Sequence, residues 1–258
     1  MHSHEIFTAS NRQKIAYIKS DAAGSGANLP GVVFLGGFFS NMRGTKAEYF
    51  HARCRTAGRA FLRFDYSGHG ESSGEFQEGC IGDWADEACE AILALTDGPQ
   101  ILLGSSMGGW IALLVARRNP GKVAGLVGIS VAPDFTEDSM WDAFDDAQRA
   151  ELLETGRLAY PSEYSEEPYV ITRRLIEDGR RHLVLRDLLD LPMPVRLLHG
   201  TGDTDVSPDV PLRLLSHATA PDMQLTLIKG ADHRLSEPDN LEQIWQAVGD
   251  VTARRRRG

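Results

Sequence analysis

Short apolar runs rich in Val, Leu, Ile and Phe recur along the chain, and most give way after a loop to longer stretches of helical period. Val32 to Gly36, Ala60 to Phe64, Ile101 to Gly104, Val123 to Ser130, Val195 to His199 and Leu225 to Ile228 read as core strands, with Ile15 to Lys19 as an edge strand. Helices are predicted over Thr45 to Ala57, Trp84 to Leu95, Met107 to Arg118, Pro211 to His217 and Asn240 to Thr252. Their ends fit, since Gly58 follows the first and Asn119-Pro120 the third. Runs that are apolar throughout belong to strands covered on both faces, so the pattern predicts an α/β fold: a mostly parallel central sheet between two layers of helices. The rhythm breaks between Pro133 and Pro192, where acidic, aromatic and amphipathic segments follow one another without a convincing strand. A helical lid insertion over about residues 134–192, within a single domain spanning 1–258, accounts for the break.

The strand that ends at Gly104 runs straight into Ser105-Ser106-Met107-Gly108-Gly109-Trp110 and then into a helix. A strand-to-helix turn this tight leaves no room for side chains two residues either side of its apex. Gly104 and Gly108 therefore centre it on Ser106, not on Ser105. The Ser106 hydroxyl would stand above the carboxyl edge of the sheet, with the N–H of Met107 pointing outward from a helix N-terminus. A glycine-rich turn alone means little; strand, turn and helix in succession make Ser106 a candidate nucleophile.

A serine hydroxyl is a poor nucleophile until a base takes its proton. His233, in Gly230-Ala231-Asp232-His233-Arg234 just beyond the last strand, is placed to reach back over the turn. His199 ends a strand and reads as a satisfied, partly buried side chain, while His182 and His217 fall on helices or in the insertion. A carboxylate must then orient the imidazole. The loop after Val195 to His199 offers two, Asp203 and Asp205, and the spacing to His199 and Val206 favours Asp203 while leaving Asp205 open. A second oxyanion donor is expected from Leu35-Gly36-Gly37-Phe38-Phe39-Ser40, where small residues let the main chain approach a ligand. The Phe38 N–H is the first choice and that of Phe39 the second. Arg63 to Ser72 forms a glycine-shaped loop in which His69 reads as scaffold.

Bulk properties narrow the rest. A formal charge of -9 and only one basic block, Arg254 to Arg257, exclude a general nucleic-acid binder. Cys54, Cys80 and Cys89 are too few and too irregularly spaced for a disulfide framework or a zinc site, so a reducing, cytoplasmic setting is expected, with no metal and no organic cofactor. No stretch approaches the roughly 20 apolar residues of an integral membrane segment. Between Pro133 and Pro192 stand 15 Asp or Glu against 7 Arg and no Lys, which predicts a negative site mouth that slows polyanionic ligands. A monomer or weak homodimer is expected.

With the motifs placed, the chain resembles the α/β-hydrolase domain-containing protein ten group of the α/β-hydrolase fold. The resemblance spans about Val32 to Asp250 and rests on Asn41-Met42-Arg43-Gly44-Thr45-Lys46-Ala47, Arg63-Phe64-Asp65-Tyr66-Ser67-Gly68, Asp97-Gly98-Pro99-Gln100-Ile101-Leu102, Pro161-Ser162-Glu163-Tyr164-Ser165-Glu166-Glu167 and Asp232-His233-Arg234. Gly36 and Ser207 depart from it, standing where the group tends to have proline. Animal members of the group are mitochondrial S-depalmitoylases and acyl-glucuronide esterases. The resemblance implies a serine hydrolase that cleaves acyl thioesters or esters through Ser106, His233 and Asp203, with the N–H groups of Met107 and Phe38 as oxyanion hole. A general carboxylesterase or lipase-like enzyme is the alternative. Phe39, Met42, Trp110, Trp141 and Tyr164 are expected to line a substrate pocket, although core packing is the commoner role of such residues, and Arg173 is a candidate partner for a substrate carboxylate.

Overall fold

A computed structural model describes residues 3–160 and 169–255. Its elements alternate in the order the apolar pattern predicts. Strands β1 (Glu5–Thr8) and β2 (Lys14–Ser20) are followed by β3 (Val32–Leu35), helix α1 (Thr45–Thr56), β4 (Phe61–Phe64), α2 (Ile81–Leu95), β5 (Gln100–Ser105), α3 (Met107–Arg118) and β6 (Val123–Ile129). A π-helical turn at Thr136–Trp141 opens the insertion, which carries α4 (Asp146–Thr155), β7 (Arg157–Tyr160), β8 (Tyr169–Thr172) and α5 (Arg173–Gly179). The chain then returns through β9 (Val195–Gly200), α6 (Asp209–His217), β10 (Met223–Ile228) and α7 (Pro238–Arg255).

Eight strands make one sheet in the order β1-β2-β4-β3-β5-β6-β9-β10. Those from β4 to β10 run parallel to their neighbours, while β2 is antiparallel to both β1 and β4. Alternate residues of the central strands feed two separate cores. Val33, Leu35, Leu62, Leu102 and Leu126 pack with Ile81, Trp84 and Trp110 of α2 and α3. Val32, Phe34, Phe61, Ile101 and Val127 pack with Phe50 of α1 and Ile244 and Val248 of α7. Burial on both faces is why these strands are apolar almost throughout, buried Arg63 of β4 being an exception.

Three expectations are corrected. The strand over Ile15–Lys19 is not the edge, because Glu5–Thr8 pairs outside it; that outer strand is mostly exposed and so carries no apolar signal. The last strand, expected in the core, is the opposite edge, with Leu227 44% exposed. The insertion, expected without strands, contains the antiparallel hairpin β7–β8, in register from Arg157↔Thr172 to Tyr160↔Tyr169.

Candidate active site

Ser106 sits between β5 and α3 with φ 54° and ψ -119°, a left-handed conformation that a side-chain-bearing residue adopts only under constraint. The constraint is visible in the main chain. Ser106 donates its N–H to the Ile129 carbonyl at 2.9 Å, and its own carbonyl accepts from Gly109 at 2.8 Å and Ala132 at 3.2 Å. A Cβ at Gly104 would collide with the main chain of Gly108, and one at Gly108 with the carbonyl oxygens of Leu35 and Gly36. The turn is therefore closed to side chains on both sides of the serine, as the spacing predicts.

The loops after β9 and β10 carry Asp203 and His233 and are laced to each other. Gly202 donates to the Ala231 carbonyl at 3.0 Å, and Gly230 to the Thr201 hydroxyl at 2.8 Å. Asp203 Oδ2 lies 2.8 Å from His233 Nδ1. Its Oδ1 accepts the N–H groups of Asp205 and Val206, each at 2.9 Å. Burial opposes ionisation of Asp203, but the hydrogen bonds from His233 and Val206 outweigh it and hold the carboxyl below its usual range. Asp205 is exposed, and its N–H serves to orient Asp203. His199 is fully buried, with Nε2 3.0 Å from the Val206 carbonyl and 3.5 Å from Asp203 Oδ2. Burial pushes its imidazole down against the pull of Asp203, so it stays neutral beneath the acid. Asp203, Asp205 and His233 bring one ligand atom each within 4.8 Å, but a metal there would have to break the Asp203–His233 hydrogen bond.

Phe38 and Phe39 occupy the middle of a turn closed by Ser40 N–H to the Gly37 carbonyl at 3.0 Å. Gly37 abuts the serine: a Cβ there would stand 3.4 Å from Ser106 Cβ. The Phe38 ring is anchored edge-on against Phe39, Phe76, Trp84, Phe135 and Tyr169 at centroid distances of 4.9 to 6.3 Å. Phe39 has φ 56°, a position that favours glycine, and its half-exposed ring is stacked between Phe76 and Tyr169 at 3.7 and 4.3 Å. The same loop is gripped from below. Asp65 accepts the Met42 N–H at 2.5 Å, and the fully buried Arg63 donates to the Met42 carbonyl at 2.8 Å. The segments around Arg63 and Met42 that stand out in the sequence thus form one clamp on the loop between β3 and α1.

The expected pocket residues scatter. Met42 is 2% exposed and packs on Ala16 and Ile18, so it is core; the clamp on its main chain turns the side chain inward. Trp110 is also core, fully buried with Nε1 donating to the His182 carbonyl at 3.1 Å. Trp141 lies under the guanidinium groups of Arg149 and Arg180. Arg173 is paired with Glu177 at 2.6 Å. Tyr164 lies outside the described residues. A cavity of about 180 Å³ is lined by Ala132, Phe135, Asp138, Leu185, Val206, Val210 and Arg213, and two of these reach the site through the main chain, Ala132 donating to the Ser106 carbonyl and Val206 to Asp203 Oδ1. Sequence reasoning missed these residues, although Ala132 and Val206 directly follow the strand and loop that carry the site. Buried Asp134, φ 58°, fastens this wall by accepting the N–H groups of Val184 at 2.8 Å and Leu185 at 3.0 Å.

The insertion is also less uniformly negative than its composition suggests. Glu137 pairs with Arg180, Asp178 with Arg181, and Asp138 with Arg186 and Arg213.

The model of the alpha/beta hydrolase family matches residues 32–246. The chain belongs to the α/β-hydrolase family. Within that family it groups with ABHD10: the Bos taurus mitochondrial palmitoyl-protein thioesterase ABHD10 is 35% identical over 223 residues, covering 86% of this chain and 72% of that one. Two solved α/β-hydrolase structures are close to it. A protein from Agrobacterium vitis S4 described as a hydrolase is 39% identical with a TM-score of 0.92, over 97% of this chain and 98% of that one. Mouse alpha/beta hydrolase domain-containing protein 10 is 32% identical with a TM-score of 0.89, over 98% and 99%. No helix among the described residues is long and apolar enough to cross a membrane.

Proposed function

We propose that the chain is a serine hydrolase that cleaves acyl thioesters or esters, of the S-depalmitoylase and acyl-glucuronide esterase type, through Ser106, His233 and Asp203. The observation that carries the reading is the 2.8 Å contact between Asp203 Oδ2 and His233 Nδ1, on loops that face a strained serine across the carboxyl edge of the sheet. Asp203 fixes Nδ1 as the protonated nitrogen, which leaves Nε2 free to take the Ser106 proton. Attack of Oγ on the acyl carbonyl forms a tetrahedral oxyanion, which the N–H groups of Met107 and Phe38 stabilise. His233 then protonates the leaving thiol or alcohol, and water attacks the acyl-enzyme with His233 as base, releasing the acid and restoring Ser106. Each oxyanion donor contributes on the order of 3 kcal/mol to the barrier reduction.

The acyl group is assigned to the cavity walled by Ala132, Phe135, Val206 and Val210. Its small volume favours a second reading, hydrolysis of short- or medium-chain esters by a general carboxylesterase. Free thiols at all three cysteines suit a cytoplasmic, reducing compartment, and a monomer or weak homodimer is part of the same reading. Matched thioesters and oxygen esters of increasing acyl length separate the two: kcat/KM rising to long-chain thioesters supports the first, and a maximum at short oxygen esters the second.

A further inference from the structure

Where the base of the β7–β8 hairpin and α5 meet the turn that carries Gln77 lies an open hollow of about 360 Å³. Its wall carries four guanidinium groups, Arg157, Arg173, Arg174 and Arg181, against two carboxylates, Glu177 and Asp178. Three of the arginines are steadied by single ion pairs at 2.6 Å: Arg173 with Glu177, Arg174 with Asp83 and Arg181 with Asp178. Asp178 is further committed to the Gly82 N–H at 2.7 Å. Arg157 has no carboxylate partner among the described residues. Arg173 and Arg174 each give one further donor to a main-chain carbonyl, that of Leu153 and of Glu78, but a guanidinium has five N–H donors, so the steadied arginines keep donors for a ligand.

The hollow is joined to the active site through two short segments. Gln77 and Thr172 belong to its wall, and a few residues away the same segments carry Phe76 and Tyr169, which sandwich Phe39 on the loop proposed to hold the oxyanion. Excess positive charge in a recess suits an anion, and the number of guanidinium forks decides which kind. One carboxylate is satisfied by one fork, whereas a phosphate, with three acceptor oxygens and close to two charges, takes several.

We propose that this hollow is a phosphate subsite, which receives the phosphorylated end of a large leaving group, such as the nucleotide portion of an acyl-coenzyme A, while the acyl end lies at Ser106. This departs locally from the charge expectation drawn from composition: the insertion carries a net negative charge, but four of its seven arginines gather at this hollow, where only two carboxylates join them. The substrate role rests on the proposed hydrolase reading; phosphate binding does not.

The test therefore uses Ser106→Ala protein, which holds substrate without turning it over, with and without Arg157→Gln and Arg181→Gln. Calorimetry with inorganic pyrophosphate, with a long-chain acyl-coenzyme A and with an uncharged thioester of the same acyl chain supplies the affinities. Two lost charge-assisted contacts, each about tenfold in affinity, predict that binding of pyrophosphate and acyl-coenzyme A weakens by ~30- to 100-fold in the arginine variant while the uncharged thioester binds as before. Pyrophosphate should also displace acyl-coenzyme A and not the uncharged thioester. Equal loss of all three ligands, or unchanged acyl-coenzyme A affinity, overturns the proposal. Pyrophosphate that binds without displacing acyl-coenzyme A overturns the substrate role, marking a site for free anions instead. If the wild type hydrolyses neither thioester yet these affinities behave as stated, the hydrolase reading fails and the subsite stands.

Discussion

Replacing Asp203 by asparagine exchanges one acceptor oxygen for an amide NH2 in a setting where the main chain dictates which way that amide points. Oδ1 accepts two N–H groups, from Asp205 and Val206, each at 2.9 Å. An NH2 in its place would meet two donors, so the amide oxygen must take the Oδ1 position and the NH2 the position of Oδ2. There it faces His233 Nδ1 at 2.8 Å and donates to it. Nδ1 becomes the acceptor, the ring proton moves to Nε2, and the nitrogen that should take the Ser106 proton already holds one. Loss of the correct tautomer costs kcat on the order of ten-thousandfold, or about 5.5 kcal/mol in the barrier. KM should barely change, because no substrate contact is removed. The assay is steady-state hydrolysis of a chromogenic ester by Asp203→Asn and Asp205→Asn proteins with matched circular dichroism. A kcat for Asp203→Asn within tenfold of wild type, or an equal loss in Asp205→Asn, would refute the reasoning and move the acid to Asp205.

Two further outcomes follow from strain and burial. Phe39 holds φ 56° at a cost of roughly 1–2 kcal/mol, so Phe39→Gly, which relieves the strain, should melt higher than Phe39→Ala although both lose the same stacking; equal melting temperatures would show that the turn is not strained. His69 is 4% exposed, and burial pushes its imidazole down to about 4 from 6.5. The unfolded chain therefore takes up a proton that the folded one refuses, and the stability from neutral His69, complete above pH 6.5, is lost as pH falls toward 4, by up to about 3 kcal/mol. Melting curves from pH 7 to 4 should fall more steeply for wild type than for His69→Gln, and parallel curves would contradict the assignment.

Which parts of the molecule can be read from sequence follows from how local their causes are. The turn at Ser106 is legible because Gly104 answers a collision four residues away, with the main chain of Gly108, and the strand-turn-helix succession is itself local; the collision that fixes Gly108, with the end of β3, is long-range. The two-faced burial of the central strands β3, β4, β5, β6 and β9 leaves largely apolar runs, with Arg63 and Arg196 buried among them. Elements with one solvent face, such as β1 and the β7–β8 hairpin, leave almost none, and β10 shows its edge position through exposed Gln224, Thr226 and Leu227. The pocket fails for a different reason. Whether an apolar side chain near the site faces the ligand or the core depends on long-range clamps: Arg63 and Asp65 turn Met42 inward, and Asp134 draws Leu185 to the cavity wall. Pairing of charges across the insertion likewise depends on its fold and not on its composition.

The central claim is that Ser106, activated by His233, is the nucleophile, and covalent labelling by a fluorophosphonate tests it most directly. Intact-mass measurement should show one label on the wild type, peptide mapping should place it on Ser106, and Ser106→Ala protein with an unchanged melting temperature should take up none. A folded wild type that stays unlabelled, or a label that persists on another serine in the Ser106→Ala protein, would contradict the account.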